Sequence, residues 1–251
     1  IADHPLDPYG FTNEHGQAAN TVLAPPAFLY WWAAGVKVFG QSVPSWKLWA
    51  FPVNLLLVVT LHHFGRRYAR GQEWPFVCLV AFSAAVLPCV NLMLDVPALA
   101  MGLLSVAVFH RACEANSVAR AVLAGVVAAV AMQTKYTAFV VPGVLLLMAW
   151  QARRAWLGVI PGAVALALFV AWEAVTAVLY GDSHFWFGYR QFGEPLWNKL
   201  NLLQPLFGTV GGVTAGAIPC AFAALGRPRW LVALAAAVVT FIFAFLNVPE
   251  S

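Results

Sequence analysis

"MLDVPALAM", residues 93–101, sets a carboxylate, Asp95, between two long apolar runs, with Pro97 two residues further on. The composition around it decides what that carboxylate means. Of the 251 residues 62% are hydrophobic and 10% charged, against about 25% charged in an ordinary soluble domain. Such a chain is solvated by lipid, and its unit of organisation is a helix of roughly 20 apolar residues.

Apolar runs punctuated by charge predict spans near 43–64, 75–91, 96–113, 118–134, 138–152, 156–180, 205–225 and 230–248. The stretch "PPAFLYWWAAGVKVFG", from Pro25 to Gly40, is short, carries Lys37 and is rich in rings that favour the headgroup level, so it reads as an interfacial helix. The expected fold class is all-α: a polytopic transmembrane helical bundle of about eight spans plus that helix. One membrane domain over 1–251 is expected. Within it, 1–42 form an external loop and the interfacial helix, 43–180 the core spans, 181–204 an external aromatic loop, and 205–251 the last two spans.

Charge assigns the faces. The segments 65–74, 110–120, 151–155 and 226–229 share one side and hold nine of the fourteen basic residues, Arg66, Arg67, Arg70, Arg111, Arg120, Arg153, Arg154, Arg227 and Arg229. The excess of arginine puts that side in the cytoplasm. Asp95 and Lys135 then fall at turns on the opposite face. A net charge of +4, scattered among apolar runs, points to membrane orientation and not to nucleic acid. Cys78, Cys89, Cys113 and Cys220 show no paired spacing and read as packing residues.

Two charged residues stand out. Asp95 reaches an aqueous boundary without crossing the lipid core; ionisable groups at such depth tend to face functional interiors. Its competing reading is an N-cap for the helix that Pro97 opens. Lys135, in "MQTKYTAF", is a candidate phosphate contact, with snorkelling to headgroups as the competing reading. Its neighbour Tyr136 is a candidate for the same binding surface. In "YGDSHFWFGYRQFGEPLWNKLN", residues 180–201, Arg190 stands among aromatic rings, either as a belt on the membrane or as a cover in which rings stack on sugar and Arg190 holds phosphate. Glu14 and His15 offer acceptor contacts in a segment otherwise readable as surface loop. No spaced ligand set specifies a metal, and the cofactor stays open between none and a divalent cation. Glu173 reads as helix-buried and paired.

The ordered set "HPLDPYGF", "PPAFLYWWAAGVKVFG", "LMLDVPALA" and "MQTKYTAFVVPGVLLL" resembles the polyprenyl-phosphate-dependent glycosyltransferases of the GT-C superfamily, over roughly residues 1–200. Within that superfamily the resemblance is to the dolichyl-phosphate-mannose protein mannosyltransferase and lipid A aminoarabinose transferase group. It implies an integral-membrane glycosyltransferase, in a bacterial inner membrane, with a polyprenyl-phosphate sugar as donor and a lipid or protein acceptor on the extracytoplasmic face. Asp95 matches the family's acidic residue between two early spans, and Lys135 matches a lysine that contacts the lipid phosphate. Relatives carry their base aspartate, beside a second acidic residue, after a first helix upstream of the segment equivalent to "HPLDPYGF". That helix is expected to precede Ile1, and further helices to follow Ser251. Where some relatives have an acidic residue, lysine or histidine before the proline, this chain has Leu23 and Ala24, which offers no metal ligand there. Two other classes compete: a transporter or lipid-handling carrier using Asp95 and Lys135 as an ion couple, and a catalytically inactive membrane scaffold.

Overall fold

The computed structural model describes residues 9, 25–83, 86–87 and 93–192. Every regular element among them is helical: α1 Ala27–Phe39, α2 Val43–Tyr68, α3 Glu73–Ala81, α4 Asp95–Ala115, α5 Val118–Met132, a 3-10 turn Tyr136–Phe139, α6 Val140–Gln151, α7 Ala155–Tyr180 and α8 His184–Phe192. By backbone proximity the chain divides into two compact units, one of Ile1–His63 with Cys89–Gln191, the other of Phe64–Pro88 with Phe192–Ser251.

Among the described residues three helices are long and apolar enough to cross a membrane: α2, α4 and α7, of 26, 21 and 26 residues. The shorter apolar segments Ala27–Phe39, Val118–Met132 and Tyr136–Gln151 stand where the interfacial helix and two spans were expected. Within the expected span 75–91 the helix α3 covers Glu73–Ala81, and residues 84–85 and 88–91 lie outside the described residues. Beyond it the carbonyl of Ser83 accepts from Val86 N–H at 3.1 Å and Leu87 N–H at 3.0 Å. The spans expected at 205–225 and 230–248 lie outside the described residues.

The first unit is built on α4, α5 and α7, with α6 lying against α7 and α4. A local signal reverses the chain between α4 and α5. Asn116 closes α4 in the left-handed region (φ 49), its N–H returning to Ala112, and the Ser117 hydroxyl accepts the Arg120 N–H to open α5. The two helices therefore run antiparallel, and the start of α4 lies at the same end as the finish of α5.

Close packing follows from small residues. Ala121, Ala124 and Ala128 of α5 are fully buried, which lets neighbouring backbones approach where lipid supplies no hydrophobic drive of its own. At Gly125 a Cβ would lie 2.8 Å from both Cα and O of Pro161 on α7. At Gly158 of α7 it would lie 2.4 Å from the Ala149 methyl on α6. The most apolar helix, α7, leaves Val159, Leu166, Val170 and Val178 exposed. In water that surface would be a large unburied patch; against hydrocarbon it needs no cover.

The amino-terminal side is held by indoles. Trp31 of α1 and Trp49 of α2 stack at 4.7 Å between centroids, and each donates its ring N–H to the other's backbone carbonyl, at 3.2 Å from Trp31 and 2.7 Å from Trp49. Gly35 admits the Trp49 ring, since a Cβ there would sit 2.3 Å from it.

Candidate functional site

Asp95 is the first residue of α4. Pro97 occupies the third helical position, where no intrahelical N–H partner is lost. The cap position belongs to Leu94, no side chain caps it, and the Leu94 carbonyl accepts from Ala98 N–H at 3.1 Å. The N-cap reading of Asp95 is thereby replaced. Its carboxylate is left for another partner, and that partner is Lys135.

Lys135 stands in extended backbone (φ −155, ψ 134) between α5 and the 3-10 turn. Its N–H returns to Ala131 O at 3.0 Å and its carbonyl accepts from Ala138 N–H at 3.0 Å, which fixes the backbone from which the side chain leaves. The ammonium forms a hydrogen-bonded ion pair with the Asp95 carboxylate, 40 residues earlier. The side chains remain 37% and 42% exposed, for lysine and aspartate respectively. A half-open pair of this kind stabilises a fold by about 0–1 kcal/mol, so its charges stay accessible to a third group at little cost. The amino end of α4 adds a favourable field for the carboxylate.

The next residue serves a second polar group. The Tyr136 hydroxyl lies 2.8 Å from Nδ1 of His184 and 3.4 Å from Oε1 of Glu173, while Oε2 of Glu173 accepts the Phe185 N–H at 3.2 Å. One arrangement satisfies the whole chain: His184 Nδ1–H donates to Tyr136, whose hydroxyl donates to the Glu173 carboxylate. Phe139, Phe169 and Phe185 close around it, with centroid distances of 4.7 Å for Phe139–Phe169 and 5.5 Å for Phe169–Phe185. Burial lowers the His184 pKa below the ordinary imidazole value and favours the neutral ring. Tyr9 belongs to the same end: its ring meets Tyr180 edge-on at 5.7 Å, and burial first, then the Glu173 carboxylate, hold its phenol protonated well above the usual range.

Within the aromatic loop expected over 181–204, of which 193–204 lie outside the described residues, residues His184–Phe192 form α8. Ser183 starts it, its Oγ accepting the Trp186 N–H at 3.1 Å, after Gly181 ends α7 in the left-handed region (φ 79). The "HFWF" rings are thus presented by a helix whose first turn is tied to α7 through Glu173.

Of the residues singled out by sequence, Asp95 and Lys135 are brought into contact, and Tyr136 lies next to them but directs its hydroxyl to Glu173 and His184. Arg190 forms an ion pair with Asp182, close to its own helix, instead of joining Lys135. Glu14 and His15 lie outside the described residues. Sequence reasoning passed over His184 as a site member and Gln133 altogether. Glu173 was expected to be helix-buried and paired; it is half-buried and accepts hydrogen bonds from Tyr136 and Phe185. Among the described residues no group of three or more His, Cys, Asp or Glu is arranged to hold a metal ion.

No family model matches the chain, and no curated protein or solved structure matches it either.

Proposed function

We propose that this chain is a membrane glycosyltransferase of GT-C type, moving a sugar from a polyprenyl-phosphate donor to a lipid or protein hydroxyl. Its site lies on the extracytoplasmic face of a bacterial inner membrane. The observation that carries the reading is the half-open Asp95–Lys135 pair at the end of an apolar bundle, where α4 begins and α5 finishes. A carrier would be expected to hold such a couple near the bilayer midplane, within broken helices; here both residues stand at element ends.

The chemistry follows from the charges. In the resting pair each charge is neutralised by the other. The donor's phosphate competes for the ammonium and leaves the Asp95 carboxylate free to accept a proton, the part that relatives give to an aspartate upstream of the segment equivalent to "HPLDPYGF". The acceptor oxygen attacks the anomeric carbon, its proton passes to Asp95, and the bond from that carbon to the phosphate oxygen breaks with its electron pair on the departing polyprenyl phosphate. Lys135 offsets the charge that develops there. Tyr136, Arg190, Glu14 and His15 are the further substrate-binding residues of this proposal, with the α8 rings available to stack on sugar.

The test is sugar transfer by the purified full chain in proteoliposomes, supplied with labelled lipid-linked sugars and a mixture of lipid and peptide acceptors. Lys135→Ala is expected to lower turnover by about 100-fold or more, the usual effect of removing one charge-stabilising donor. Unchanged turnover removes Lys135 from the mechanism, and substrate flux across the membrane without transfer would favour the carrier instead.

A further inference from the structure

Gln133 closes α5 as its C-cap residue (φ −79, ψ −3) and is 8% exposed. Its backbone is engaged on both sides: the N–H donates to Ala129 O at 2.8 Å, and the carbonyl accepts the Ala27 N–H from the start of α1 at 3.1 Å. Its side chain is not. Nε2 and Oε1 are both buried, and neither has a hydrogen-bond partner among the described residues. The neighbouring Thr134 commits its one hydroxyl proton to Val130 O at 2.8 Å and has none to give Oε1. Two residues along the chain stands Lys135, already paired with Asp95.

A carboxamide withdrawn from water with donor and acceptor both unmet destabilises the protein that carries it. A ligand that brings both a donor and an acceptor would satisfy it. The chemistry of the amide narrows that ligand. It presents N–H donors and a carbonyl acceptor side by side. A phosphate oxygen only accepts and would leave Oε1 unmet, whereas hydroxyls donate and accept together, and two adjacent ones match both ends of the amide.

We propose that Gln133 reads the donor's sugar, its carboxamide receiving a pair of hydroxyls on the glycosyl group while Lys135 takes the phosphate. This rests on the transferase reading above and divides the donor between two residues of one turn. Anomeric sugar and phosphate are covalently adjacent, as Gln133 and Lys135 are near-adjacent at the end of α5.

The experiment is thermal melting of the full chain in nanodiscs, as wild type, Gln133→Leu and the closer-shaped Gln133→Met. Each is titrated with undecaprenyl phosphate and with a panel of undecaprenyl-phosphate-linked hexoses and pentoses. Without ligand, the variants are expected to melt above wild type, since the unmet amide is gone. Undecaprenyl phosphate should shift all three alike. The best glycosylated lipid should bind wild type more tightly than undecaprenyl phosphate does, and the variants should lose roughly tenfold of that affinity. A glycosyl preference retained in either folded variant overturns the proposal. So does a fall in melting temperature for both variants, which would mean that a buried water or the protein itself already satisfies the amide, and so does the absence of any sugar preference in wild type. No shift with either lipid class in wild type sinks the transferase reading itself.

Discussion

The Oγ of Ser105, midway along α4, donates to the carbonyl of Ala124 on α5 across 2.7 Å, in full burial. This bond joins the two helices whose ends carry Asp95 and Lys135, and it sets how far one can slide along the other. Ser105→Ala is expected to cost about 0.5–1.5 kcal/mol, the net worth of one such bond, because the Ala124 carbonyl keeps its place in the α5 ladder. Reversible unfolding in mixed detergent measures it.

The approach of α5 to α7 depends on Gly125. Adding a methyl there sets a Cβ 2.8 Å from the Pro161 backbone, which cannot rotate away as a side chain could. Gly125→Ala should therefore destabilise by about 1–3 kcal/mol despite alanine's better helix propensity. Gly143 on α6 has nothing within 4 Å of its would-be Cβ, so Gly143→Ala should be neutral or stabilising by up to about 1 kcal/mol. The same unfolding measurement on both variants separates packing from propensity.

His184 gives the site a pH dependence with a defined sign. Its ordinary pKa of 6.5 is lowered in the fold by burial. Above 6.5 both folded and unfolded chains hold it neutral, and its burial carries no penalty. As pH falls through 6.5 toward the lower folded value, the unfolded chain binds the proton first and stability drops. The first turn of α8, tied to Glu173 and Tyr136, should show lower protection of its amide hydrogens, relative to the intrinsic exchange rate at each pH, at pH 5 than at pH 7.5. His184→Gln should flatten that difference; an equal difference in the variant would place the titration elsewhere.

Much of this was legible in the residues. Apolar runs located α2, α4 and α7 to within a few residues, because length and hydropathy act over a whole turn-repeated segment. Asp95 and Lys135 were visible as charges in places where charge is costly, and the count of intervening spans put them at one end. What the runs could not convey was local backbone chemistry. The end of α3 at Ala81, with Phe82 as its C-cap, left no mark in hydropathy because the residues after it stay apolar. The stretch after Gly181 looked like a loop because glycine, aspartate and serine precede its rings, although the same serine is a helix cap. Gln133 drew no notice since one amide near a span's end is ordinary; only its burial without a partner marks it.

The central claim is that the Asp95–Lys135 pair performs chemistry and contributes little to holding the fold. Sugar transfer from a labelled polyprenyl-phosphate donor, measured beside melting temperature for Lys135→Met and Asp95→Asn, tests it most directly. The account predicts turnover lowered by about 100-fold or more in each variant, with stability changed by no more than about 1 kcal/mol. Wild-type turnover in either variant, or a loss of turnover that only tracks unfolding, would contradict it.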